Sequence, residues 1–222
     1  MTVRSALVLG ATGLVGRQCL DQLLAETRYD TVHAIVRKPL EVTHPKLKQH
    51  VIAFTELADT VAQVTASEVF CCLGTTIKQA GSQEAFRRVD YEYPLVAAKS
   101  ALASGARQFL IVTSLGADAK SSIFYSRVKG EVERDLCALP FPTVHVLQPS
   151  MLLGERGEQR IGEAIGQVAM RIFQPLMVGA ARKYRAIEAA PVARAMIALA
   201  KQDRAGKHTH KSDELERLGS PI

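Results

Sequence analysis

The chain has 222 residues, 47% of them apolar, which is enough for a full-sized hydrophobic core. Only 5% are aromatic and Trp is absent, a mix that disfavours a β-sandwich and suits helices packed on a buried parallel sheet. The 28 basic and 22 acidic residues leave a net charge of +6 spread along the chain, which argues against a nucleic-acid reader, and no run approaches the length of a membrane span.

Met1–Ser5 lead directly into the apolar run Ala6-Leu7-Val8-Leu9 with no secretory leader, so a soluble cytoplasmic protein is expected. That run predicts the first strand. Leu14, Val15, Cys19, Leu20, Leu23 and Leu24 follow at helical spacing. Val32–Val36 and Gln49–Phe54 read as the next two strands, Glu56–Val64 as a helix and Val69–Leu73 as a fourth strand. Ser82–Ser104 is helical in pattern, with Pro94 marking a kink or a new start and Gly105 suiting its end. Phe109–Thr113 is the fifth strand, Tyr125–Leu139 the next helix, Val144–Leu147 the sixth strand and Pro191–Ala200 a later helix. Strands alternating with helices in one domain predict an α/β fold, a doubly wound parallel sheet of the Rossmann type in three αβα layers. The segment 155–187 is rich in Gly and Pro and reads as a substrate-covering lid. Within it, Ile161 to Phe173 carries one apolar face suited first to core or lid packing, then to a homodimer contact, and last to membrane-surface attachment.

Cys19, Cys71, Cys72 and Cys137 stand in no metal-like or C-x-x-C spacing and read as reduced core residues. His208 and His210 would share one face of a surface strand, but two histidines alone do not make a metal site, and none is expected. Ser212-Asp213-Glu214 reads as the acidic first turn of a final helix.

The first strand, a glycine turn and a helix follow in the order that dinucleotide binding requires: Gly10-Ala11-Thr12-Gly13-Leu14-Val15-Gly16. One glycine permits the turn, another lets the backbone approach a pyrophosphate, and the third lets helix pack on strand. The spacing is G-x-x-G-x-x-G. The second strand ends in Arg37-Lys38, with no acid to accept from a ribose 2′-hydroxyl, so NADP(H) is favoured over NAD(H). Tyr125 and Lys129 are four apart on a predicted helix and share a face, and Ser114 lies just past the carboxyl end of the fifth strand.

This order of features resembles the short-chain dehydrogenase/reductase superfamily from Ala6 to about Gly154, ending in Gln148-Pro149-Ser150-Met151-Leu152-Leu153-Gly154-Glu155-Arg156. Phe70-Cys71-Cys72-Leu73-Gly74-Thr75-Thr76 and Val112-Thr113-Ser114-Leu115-Gly116-Ala117 look like its atypical branch, which contains the Tat-interacting-protein-like oxidoreductases. The resemblance implies hydride transfer between a nicotinamide and a small carbonyl or alcohol. Tyr125 would move the proton, Lys129 would supply charge and hold the ribose, and Ser114 would bond the substrate oxygen. Leu73, Gly74 and Thr75 would lie along the cofactor, with Pro149 and Ser150 bordering the nicotinamide. Two features depart from the family: only ten residues separate Ser114 from Tyr125, and Cys72-Leu73-Gly74-Thr75 replaces the usual Asn-Asn-Ala-Gly. A cofactor-binding sensor and a nucleotide-sugar epimerase or dehydratase are the alternatives; the short C-terminal portion disfavours the latter.

Overall fold

The computed structural model describes residues 4–153 and 179–220. In chain order it has β1 (Arg4–Leu9), α1 (Leu14–Ala25), β2 (Tyr29–Val36), β3 (Leu47–Val51), α2 (Leu57–Gln63), β4 (Glu68–Cys71), α3 (Ile77–Ala80), α4 (Gln83–Arg87) and α5 (Tyr93–Ala103). There follow β5 (Gln108–Val112), α6 (Phe124–Ala138), β6 (Thr143–Gln148), β7 (Leu152–Leu153), β8 (Ile187–Glu188), α7 (Ala189–Lys201), β9 (Gly206–Lys211) and α8 (Ser212–Leu218). Ala6 to Leu9 are buried on both sides of β1, so that strand needs neighbours on each edge and cover on each face. The sheet supplies both. Its seven parallel strands run β3-β2-β1-β4-β5-β6-β9, the doubly wound Rossmann order with one strand added.

Alternation along each strand sorts side chains between two cores. Ala6, Val8, Phe70 and Leu110 face α1, α7 and α8, while Leu7, Leu9, Val69, Phe109 and Ile111 face α2, α5 and α6. Chain connections leave β1 in opposite directions to reach β2 and β4, so the carboxyl ends of β1 and β4 border the crevice where such sheets bind ligands.

Three expected elements differ in detail. The third strand ends at Val51, and Phe54 instead opens a 3-10 turn whose Glu56 carboxylate accepts from the Ala53 N–H at 2.9 Å. The long helix expected over Ser82–Ser104 is α4, a π-helical turn Arg88–Glu92, and α5 with Pro94 in its first turn. The His208–His210 segment is the seventh strand of the main sheet, and His210 is buried rather than at the surface. The apolar helix expected at Ile161–Phe173, and the lid as far as residue 178, lie outside the described residues.

On β6, His145 is fully buried and shares a hydrogen bond with His210 of β9, 3.0 Å between Nδ1 and Nε2. Burial first, then His210, His208 and Arg204, push its imidazole down to about 3. His33, bonded to His50 at 2.9 Å, is likewise pushed down to about 4 by burial, His50 and Lys48. The folded state thus binds fewer protons than the unfolded chain in acid. Stability is full above the ordinary imidazole value and is lost as pH falls from there towards these depressed values. Unfolding in urea at pH 7 and pH 5 should show His145 alone costing about 2 kcal/mol at the lower pH. In His145→Asn the pH slope should shrink; an unchanged slope would place the proton uptake elsewhere.

Candidate active site

Gly10 leaves β1 with φ +81°, and a β-carbon there would lie 2.6 Å from the Cys72 carbonyl oxygen. At Gly16 a β-carbon would lie 2.0 Å from the Gly10 carbonyl oxygen, so α1 approaches the strand end as closely as a bare backbone allows. Gly13 is the N-cap of α1, with no side-chain cap and no acid in the first turn. The amino end of α1 therefore keeps unpaired N–H groups and an uncompensated positive dipole end facing the crevice. These are the attributes of an anion site.

The crevice has a volume of about 1230 Å³. Gly10, Thr12, Gly13, Leu14 and Val15 form its floor, Arg37 stands at the end of β2, and Leu73, Gly74 and Thr75 follow β4. Tyr125 and Lys129 of α6 line the same cavity. Gly16 packs beneath the turn, and exposed Lys38 lies outside the lining. Ser114, Pro149 and Ser150 are also outside it. Ser114 follows the cleft-lining Thr113, and its buried hydroxyl has no hydrogen-bond partner among the described residues. The Pro149 carbonyl accepts from the Leu115 N–H at 2.8 Å. The Ser150 hydroxyl donates to the Arg185 carbonyl and lies 3.1 Å from that of Ser212, so it is committed within the protein.

Tyr125 sits in the first turn of α6, its ring centroid 5.4 Å from that of Phe86. One helical turn on, the Lys129 ammonium is buried 2.7 Å from the carboxylate of Asp90. Burial alone would lower the lysine, but Asp90 and then Tyr125 outweigh it and hold Lys129 above its ordinary range. Glu133, a further turn along, accepts from Thr113 Oγ1 at 2.5 Å and from Gln148 Nε2 at 2.9 Å, and burial pushes its carboxyl up.

Sequence reasoning missed Asp90, Arg17, Phe54 and Glu133. Arg17 and Phe54 line the cavity, and the Arg37 guanidinium stands 5.9 Å from the Phe54 ring, which stacks on Tyr93 at 4.3 Å. Arg17 follows the last glycine directly, and Glu133 is four residues from Lys129, so both had a spacing that could have been read. Asp90 had none: a π turn delivers it, and no residue pattern in Arg87-Arg88-Val89-Asp90-Tyr91 announces one.

Residues 10–136 match the model of a family described as NAD(P)H-binding. The chain belongs to the NAD(P)H-binding family. Among curated relatives of this NAD(P)H-binding protein, the protein HTATIP2 of Rattus norvegicus is 36% identical over 201 residues, 89% of this chain and 81% of that one. The protein FMP52-1, mitochondrial, of Scheffersomyces stipitis is 40% identical over 155 residues, 68% of this chain and 69% of that one. The expectation of a cytoplasmic protein is corrected by this second group, since several FMP52 relatives are named as mitochondrial. Among the described residues no helix is long and apolar enough to cross a membrane.

Solved structures share the fold. The UDP-glucose 4-epimerase of Thermotoga maritima superposes with a TM-score of 0.68 at 15% identity, over 97% of this chain and 81% of that one. The human epimerase family protein SDR39U1, solved with NADPH, gives 0.64 at 17%, over 97% and 80%. The family and the fold agree with the sequence resemblance to short-chain dehydrogenases/reductases. The backbone cradle at Gly10 and Gly16 and the uncapped α1 fit a bound dinucleotide.

Proposed function

We propose that this chain is an NADP(H)-dependent oxidoreductase acting on a small carbonyl or alcohol. The observation that carries the reading is that Tyr125 and the buried Lys129 line the same cavity as the glycine turn, so a proton-transfer pair faces the dinucleotide cradle. A bound nicotinamide would accept or supply the hydride. The phenol of Tyr125 holds the proton that passes to or from the substrate oxygen. Lys129, one helical turn on, brings its ammonium to the same cavity, where it would hold the nicotinamide ribose. By the family resemblance Ser114 would hold the same substrate oxygen; its hydroxyl has no other partner among the described residues and is buried just behind the cavity-lining Thr113.

NADP(H) is the preferred cofactor in this reading. Support comes from Arg37 at the end of β2 and from Arg17 on α1, both on the cavity wall, where a 2′-phosphate needs cations. The Arg37, Phe54 and Tyr93 stack offers flat surfaces to the adenine. Arg37→Asp should weaken NADPH about 10–100-fold, as expected for losing a charge-assisted bond, and weaken NADH far less. Equal losses for the two in calorimetry would remove the 2′-phosphate role.

The deciding experiment is a titration with NADPH and NADH, followed by NADPH consumption against a panel of aldehydes and ketones. Net NADPH oxidation supports the proposal. Binding without turnover would make the chain a sensor, and conversion without net cofactor change would make it an epimerase.

A further inference from the structure

We infer that Asp90 is a positioning residue of this site: its carboxylate fixes Lys129 and keeps that ammonium charged, so Tyr125 faces a buried ion pair and not a lone cation. This rests on the assignment of Tyr125 and Lys129 to proton transfer. Asp90 comes from the π turn Arg88–Glu92, an irregularity that turns a helical side chain inward and is frequent at functional sites. It is 1% exposed, and Lys129 is 5% exposed.

Its two oxygens serve different elements. Oδ1 lies 2.7 Å from Lys129 Nζ on α6, and Oδ2 accepts the Thr75 N–H at 3.0 Å from the segment after β4. A β-carbon at Gly74 would lie 3.6 Å from Oδ1 and 3.7 Å from Nζ, so Gly74, which lines the cavity, packs against both groups. One carboxylate thus ties together the lysine and the segment placed along the dinucleotide.

The groups facing Lys129 are Asp90 from the π turn, Cys71 from β4, and Tyr125 and Glu133 on its own helix. Asp90 is the carboxylate in direct contact with the ammonium, while Glu133 engages Thr113 and Gln148. A buried ion pair is a poor device for stability alone, because desolvation offsets much of its attraction. Asp90 lies just behind the cavity lining, and its contacts with Lys129 and Thr75, both of which line the cavity, are what point to a role in the reaction.

The test needs no cofactor. The protein carrying 13C-labelled lysine is titrated by NMR, and the Lys129 signal is assigned by its loss in Lys129→Met. In the wild type, Lys129 should stay protonated beyond the ordinary lysine range. In Asp90→Asn it should titrate about one to three units lower, as expected for losing an opposite charge in contact, and Asp90→Glu should recover most of the difference. Equal titration in wild type and Asp90→Asn overturns the inference. Should Asp90→Asn not fold, the wild type decides, since a Lys129 that titrates below the ordinary lysine value also overturns it. Absence of turnover in every variant and in the wild type would remove the oxidoreductase reading, while the NMR result still answers for Asp90.

Discussion

Tyr125→Phe is expected to lower turnover by about 10²–10⁴-fold, the usual contribution of a positioned acid or base, while leaving NADPH binding intact. The substitution removes one oxygen and keeps the ring, so the tilted contact with Phe86 survives. The surrounding backbone is fixed independently of the phenol. The Asp118 N–H donates to the Ser126 carbonyl at 3.0 Å, and Arg127 Nη1 donates to the carbonyls of Ser121 and Ser122 at 2.9 and 3.2 Å. Gly130 lets that loop lie against α6, since a β-carbon there would stand 2.1 Å from the Ala119 nitrogen. The short connection between Ser114 and Tyr125 is therefore a folded brace across the start of the helix. Steady-state NADPH oxidation paired with calorimetric titration separates the two effects. Unchanged turnover would take the acid–base role away from Tyr125.

The central strands were legible because burial on both faces forces continuous apolar runs, as in Ala6–Leu9 and Phe109–Val112. Strand β9 was harder to place. Its Gly-Lys-His-Thr-His-Lys sequence is polar because it is an edge strand, paired only to β6, and its inward face is filled by imidazole instead of aliphatic carbon. The glycine turn was readable from spacing because backbone contacts demand glycine at Gly10 and Gly16. Tyr125 and Lys129 were readable because helical geometry stacks residues four apart. Asp90 was hidden for the opposite reason: its contact with Lys129 spans 39 positions and depends on a π turn, which has no residue signature. Ser150 shows the converse limit. The family resemblance implied a place for it at the nicotinamide border, but sequence cannot tell that its hydroxyl is taken by Arg185 and Ser212.

Gly16→Ala is expected to affect both stability and binding, because the added methyl meets backbone and not a yielding side chain. Its β-carbon would stand 2.0 Å from the Gly10 oxygen, 2.7 Å from the Gly10 carbonyl carbon and 3.1 Å from the Ala11 nitrogen. Relief requires α1 to retreat from β1 by more than an ångström. Gly10 has little freedom to move the other way, since it is pressed in turn against the Cys72 carbonyl. Retreat of α1 loosens Val15, Cys19, Leu20 and Leu23 in the core they share with α7, an overpacking cost of about 3 kcal/mol. For a chain of this size that lowers Tm by roughly 6–12 °C. The same shift carries Gly13, the N-cap, off the floor of the cavity, so NADPH affinity should fall even well below the new Tm, where the protein is folded. Thermal unfolding and calorimetry on one preparation distinguish the two consequences. Lost stability with full NADPH affinity would mean that the phosphates are held elsewhere than at the amino end of α1.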